Sequence, residues 1–101
     1  MIRATTPTFR YLLPLPASSY KSFLVTMSQC GNIVLSRETA QLTQDGKYIQ
    51  WRLSQQEANR FKPGVTAQIQ LRVVMPDGQV LGTAISSVMV NPALDDRILE
   101  V

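Results

Sequence analysis

The chain contains no histidine and a single cysteine, Cys30. That pair of shortages removes an intramolecular disulfide, the Cys/His zinc sites and every His-based triad or acid–base relay. Cys30 reads as a buried or half-buried small residue ahead of a turn glycine, since no imidazole is present to activate its thiol. Glycine is also scarce, and the five glycines do not form a phosphate-cradling loop; neither Ser-x-x-Lys nor Gly-x-Ser-x-Gly occurs. The seven acidic residues include one adjacent pair, Asp95-Asp96, which reads as solvated or helix-starting and not as a metal or glycosidase pair. Asp45 and Asp77 sit beside turn glycines, and Glu57 is accounted for by a helix cap. No catalytic, cofactor-binding or metal-binding residue is therefore expected, and no cofactor.

Long apolar runs are missing too. No window approaches the ~20 continuous apolar residues that span a bilayer. The opening Met1–Pro7 lacks the apolar core of a signal peptide, and Pro14 and Pro16 interrupt the next apolar stretch, so a soluble protein made in a cytosol is expected. The net charge of +3 comes from basic residues scattered singly, Arg3, Arg10, Lys21, Arg37 and so on, with no stripe to track phosphates. Nucleic acid and membrane are accordingly not expected as partners.

What is present is a globular composition, 45% hydrophobic and 17% charged in 101 residues, enough for one core. The division expected is a β-sandwich domain over residues 1–91 and a tail over 92–101, the tail being either loose or an arm that orders against a neighbour. Thr8–Leu13, bounded by Pro7 and Pro14, reads as a strand near a sheet edge. Ser22–Gln29 alternates with Phe23, Val25 and Met27 on the buried face. Gly31-Asn32 supplies turn chemistry, so residues 22–36 form a hairpin. Glu38–Leu42 leads to a turn at Thr43–Gly46, and Lys47–Leu53 alternates again, burying Ile49, Trp51 and Leu53.

Ser54-Gln55-Gln56-Glu57 has capping-box spacing and predicts a short helix over Gln55–Arg60, stopped by Pro63-Gly64, with Phe61 plugging the core end. Val65–Met75 is the longest strand, with Val65, Ala67, Ile69, Leu71 and Val73 on one face. Pro76-Asp77-Gly78 turns it back into Gln79–Val90, in which Gly82 marks a bulge or twist. The expected core is Phe23, Val25, Ile49, Trp51, Leu53, Ile69, Leu71, Val73 and Ile85. The polar rows Thr66/Gln68/Gln70/Arg72 and Tyr48/Gln50/Arg52 read as hydrated outer sheet faces, with a wet protein interface as the alternative.

The succession Ser28-Gln29-Cys30-Gly31 with Ile33-Val34-Leu35, Leu53-Ser54-Gln55-Gln56-Glu57, Phe61-Lys62-Pro63-Gly64 and Gln68-Ile69-Gln70-Leu71-Arg72 resembles small phage and prophage tail proteins, in particular the N-terminal domains of phage baseplate upper proteins. The resemblance runs from Thr5 to about Pro92. It implies an all-β, immunoglobulin-like antiparallel β-sandwich of about seven strands with one short helical crossover. It also implies a virion component at the tail tip or baseplate, made in the bacterial host cytoplasm and packed in symmetric copies, a homo-oligomer included, against other tail, baseplate or fibre proteins. Because the chain ends soon after the matched stretch, an adaptor or decoration role is expected in place of independent receptor binding. The alternative is a free-standing carbohydrate- or protein-binding module, which requires Tyr11, Tyr20 and Tyr48 to share one face.

Overall fold

The computed structural model describes residues 1–101. Its strands are β1 (Thr8–Leu12), β2 (Ser22–Gln29), β3 (Asn32–Glu38), β4 (Thr43–Asp45), β5 (Tyr48–Arg52), β6 (Thr66–Val74), β7 (Val80–Gly82) and β8 (Ser86–Met89), with one short helix, α1 (Gln55–Ala58). All strand pairs are antiparallel. One sheet has the order β1-β5-β4 and the other β3-β2-β6-β7, with β8 also on β6. In immunoglobulin lettering these are the B-E-D and C′-C-F-G sheets, and the parallel bridge Ile2↔Asn91 is the stub of a first strand held on the opposite sheet. The chain is thus an all-β, immunoglobulin-like sandwich, with eight strands where about seven were expected.

The two inner faces bury the alternating positions. Phe23, Val25 and Met27 from β2, Ile49 and Trp51 from β5, Leu53, and Ala67, Leu71 and Val73 from β6 are all buried. They are joined by Leu13, Ala17, Leu35, Leu42, Phe61 and Val90 in one cluster. Phe9 stacks on Trp51 with ring centroids 5.6 Å apart. Ile69 is only half-buried at the rim of this cluster.

Ile85 does not belong to the core; it is 62% exposed. The return from β6 is not one strand but two, and the registers Arg72↔Gly82 and Ile69↔Ser86 leave one more residue on the returning side than on β6. That bulge follows Gly82, as expected, and with a side-chain period of two it turns Ile85 from the core face to the outer face. Thr83 holds the irregular stretch: its N–H donates to Leu71 O and its hydroxyl accepts from Leu71 N–H at 3.1 Å.

Three local boundaries also differ from expectation. The β2–β3 hairpin pairs Gln29 with Asn32, so its two loop residues are Cys30 and Gly31, both with positive φ (52° and 77°). This is the type I′ pattern, and it puts Cys30 out in solvent instead of in or near the core. Thr43–Asp45 is strand, and the turn is the two-residue Gly46-Lys47 that follows it. The helix stops at Ala58, two residues early, because the chain tightens there: Phe61 N–H returns to Ala58 O at 3.3 Å. The capping box itself is complete, with Ser54 Oγ accepting from Glu57 N–H and Glu57 Oε1 accepting from Ser54 N–H.

Two buried glutamines tie irregular backbone to this frame. Gln29 occupies an inward position of β2 and bonds the crossover after α1: its Nε2 donates to Lys62 O and Val65 O, and its Oε1 accepts from Lys62 N–H at 2.6 Å. Gln55 bonds residues near the chain's end: its Nε2 donates to Leu99 O and its Oε1 accepts from Leu99 N–H. Asn59 Nδ2 donates to Asp96 O, and Arg3 pairs with the Asp96 carboxylate at 3.2 Å. Residues 92–101 form no strand, yet two of their backbone positions are held by α1 and its C-cap.

Candidate docking site

The side of the sandwich between β1 and β7 is open. A cleft of about 260 Å³ runs there, lined by Tyr11, Leu13, Tyr20, Leu71, Val73 and Leu81 among others. Leu81 remains 44% exposed although its register partner Val73 faces the core. Tyr20 is positioned by the aromatic pair it makes with Phe23, ring centroids 5.4 Å apart. Tyr11 shares the inward parity of β1 with Phe9, as its pairing with Ile49 requires.

Both strands flanking the cleft have a free edge. Leu13 N–H donates to Lys47 O and Leu53 N–H to Pro7 O, which assigns the odd-numbered residues of β1 to the β5 ladder. The backbone groups of Thr8, Arg10 and Leu12 therefore point away from the sheet, with no strand to receive them. On the other flank Met75 N–H donates to Gln79 O and Thr83 N–H to Leu71 O, so Val80 and Gly82 present their backbone groups outward in the same way. Residues Met1–Arg3 cover only the far end of this second edge, through Met1 N to Met89 O and Arg3 N–H to Asn91 O.

The three tyrosines do not converge. Tyr11 and Tyr20 line the cleft, while Tyr48 lies on the outer face of the smaller sheet beneath the Arg10 guanidinium, 4.0 Å from the ring centre. Arg10 also lies 3.8 Å from Asp45 across that face, and both side chains are well exposed. Of the polar row Thr66/Gln68/Gln70/Arg72, the last three join Thr26 and Ser28 in a shallow outer hollow between the exposed side chains of Ile33 and Ile85. Asp95 bonds Arg97 and Asp96 bonds Arg3, so the adjacent carboxylates serve the fold of the last residues. No cluster of three or more His, Cys, Asp or Glu side chains is formed.

Glu57 is a structural carboxylate. Burial pushes the Glu57 carboxyl up, but hydrogen bonds from Arg37 and the Ser54 backbone, together with the Arg37 charge, outweigh it and hold the group below its ordinary 4.5. Arg37 Nη2 donates to Glu57 Oε2 at 2.6 Å, linking β3 to α1. A lowered folded-state value contributes stability above 4.5 that is lost as pH falls through the folded value. Glu57→Gln is therefore expected to unfold at lower urea than the parent near neutrality, with the gap narrowing below 4.5; urea midpoints measured across that range check it.

No helix is long and apolar enough to cross a membrane. Comparison of the chain with protein-family models and with curated proteins finds no match.

Proposed function

We propose that this protein is a non-catalytic structural or adaptor component of a phage or prophage tail or baseplate, acting in the virion through protein–protein assembly. The observation that carries the reading is the open side of the sandwich, where an apolar cleft lies between two strand edges whose backbone groups are unpaired. Monomeric sandwiches protect such edges, whereas assembling ones use them to bind neighbours. The resemblance of Ser28–Leu35, Leu53–Glu57, Phe61–Gly64 and Gln68–Arg72 to tail proteins gives the assembly its setting. The neighbours are then other tail, baseplate or fibre proteins.

The free-standing carbohydrate- or protein-binding alternative, which requires the three tyrosines to share one face, draws less support, because Tyr48 is separated from Tyr11 and Tyr20 and its ring is covered by Arg10. The test is quantitative mass spectrometry of tail-bearing particles purified from a host that encodes the chain. A fixed ratio of this protein to the other tail proteins is the expected result. Its absence from particles, with the protein abundant in the same lysate, would overturn the reading.

A further inference from the structure

We infer that β1 is a receiving edge for an extended segment of a different protein, one that alternates apolar residues with residues of which at least one is acidic. The inference rests on the assembly reading and names the surface and the chemistry of the partner. In a complete immunoglobulin sheet a first strand lies beside the strand that β1 represents. Here the residues preceding β1 are instead bridged to Asn91 on the other sheet, so the place beside β1 is open. The outward backbone groups of Thr8, Arg10 and Leu12 offer a ladder spanning the whole strand.

Side-chain parity then dictates the partner. A residue added opposite Arg10 falls on the outer face, and its neighbours fall on the inner face, over the cleft that holds Tyr11, Leu13 and Leu81. The inner positions must be apolar to fill that cleft. The outer position meets Arg10, whose guanidinium lies over Tyr48 and 3.8 Å from the exposed Asp45; with Arg52 on the same face the cations outnumber the carboxylate two to one, and β1 itself carries no acidic residue. Opposite charges across a strand pair favour pairing and like charges oppose it. The same rule disfavours a second copy as occupant, because a two-fold pairing of β1 with itself about its centre sets Arg10 directly against Arg10.

The probe is a soluble nine-residue peptide in which valines alternate with threonine and glutamate, compared with the same peptide carrying lysine for glutamate; binding to the full chain is read by Trp51 fluorescence and by backbone amide shifts. The glutamate peptide is expected to bind about five-fold tighter than the lysine peptide, and Arg10→Glu to reverse that order. Leu12→Pro removes an outward N–H without touching the β5 ladder, so it is expected to leave the unfolding midpoint nearly unchanged and to abolish binding. No detectable binding, equal binding of both peptides, or a peptide whose affinity Arg10→Glu leaves unaltered would overturn the inference. Arg10 is an exposed side chain, so that variant decides the matter even if Leu12→Pro does not fold. Failure here with the protein still present in particles removes this edge alone; absence from particles with peptide binding intact removes the tail assignment alone.

Discussion

Replacing Trp51 by alanine is expected to cost about 3–5 kcal/mol of folding stability, the range for deleting a large aromatic from a core that relaxes only partly. Trp51 is 4% exposed and is one of the two inward positions of β5, itself the central strand of the smaller sheet. Its ring stacks on Phe9, so the substitution opens a void and strips the inner face of β1 of its principal contact. The indole Nε1 has no hydrogen-bond partner within the chain. Packing, not hydrogen bonding, is therefore the source of the effect, and Trp51→Phe should recover more than half of the loss. Urea unfolding followed by circular dichroism measures both; a loss below about 1 kcal/mol for the alanine variant would contradict a core position.

Gln29→Ala is expected to cost about 2–3 kcal/mol, although the position is polar and only one methylene-rich side chain is removed. The side-chain amide of Gln29 serves an N–H and two carbonyls of the Lys62–Val65 crossover, at 2.6 to 3.1 Å. Without it those groups lose their partners, and the crossover that seats Phe61 in the core is held chiefly by Gly64 N–H on Val90 O. Gln29→Glu retains an acceptor for Lys62 N–H but turns a carboxylate oxygen toward two carbonyls. It should be no more stable than the alanine variant, which a comparison of urea midpoints will show.

The positions that could be read in advance are those where one face is clearly apolar. In β2, β5 and β6 the alternation separates core from surface, and Phe23, Val25, Met27, Ile49, Trp51, Leu71 and Val73 are buried accordingly. The capping box at Ser54–Glu57 was equally legible, since both of its bonds depend only on local spacing. Prolines 7 and 14 mark β1 as an edge strand, and it is one. From Val80 to Val90, by contrast, both parities carry apolar side chains: Val80, Val88 and Val90 on one, Leu81, Ile85 and Met89 on the other. Such a pattern does not specify register, so the bulge after Gly82 decides which face Ile85 takes.

The exposure of Cys30 departs from expectation for a related reason. Gly31 and Asn32 both tolerate positive φ, and the pairing of Gln29 with Asn32 selects the loop one residue earlier than turn chemistry suggests. Gln29 itself carried a signal, a polar residue at the inward parity of an otherwise apolar strand, but its partners lie more than thirty residues away. The cleft is the least legible feature. It arises from two edges, β1 and β7, brought together only by the crossover topology, and its tyrosines come from segments that share no pattern.

Addition of a partner strand requires that the β1 edge be free in the isolated protein. Residue-resolved amide hydrogen exchange tests it directly. The arrangement predicts an alternating record along β1, with Phe9 and Tyr11 protected by the β5 ladder and Arg10 and Leu12 exchanging at near-unprotected rates. Uniform protection of Phe9 through Leu12 in the isolated chain would show instead that the edge is already covered and closed to a partner.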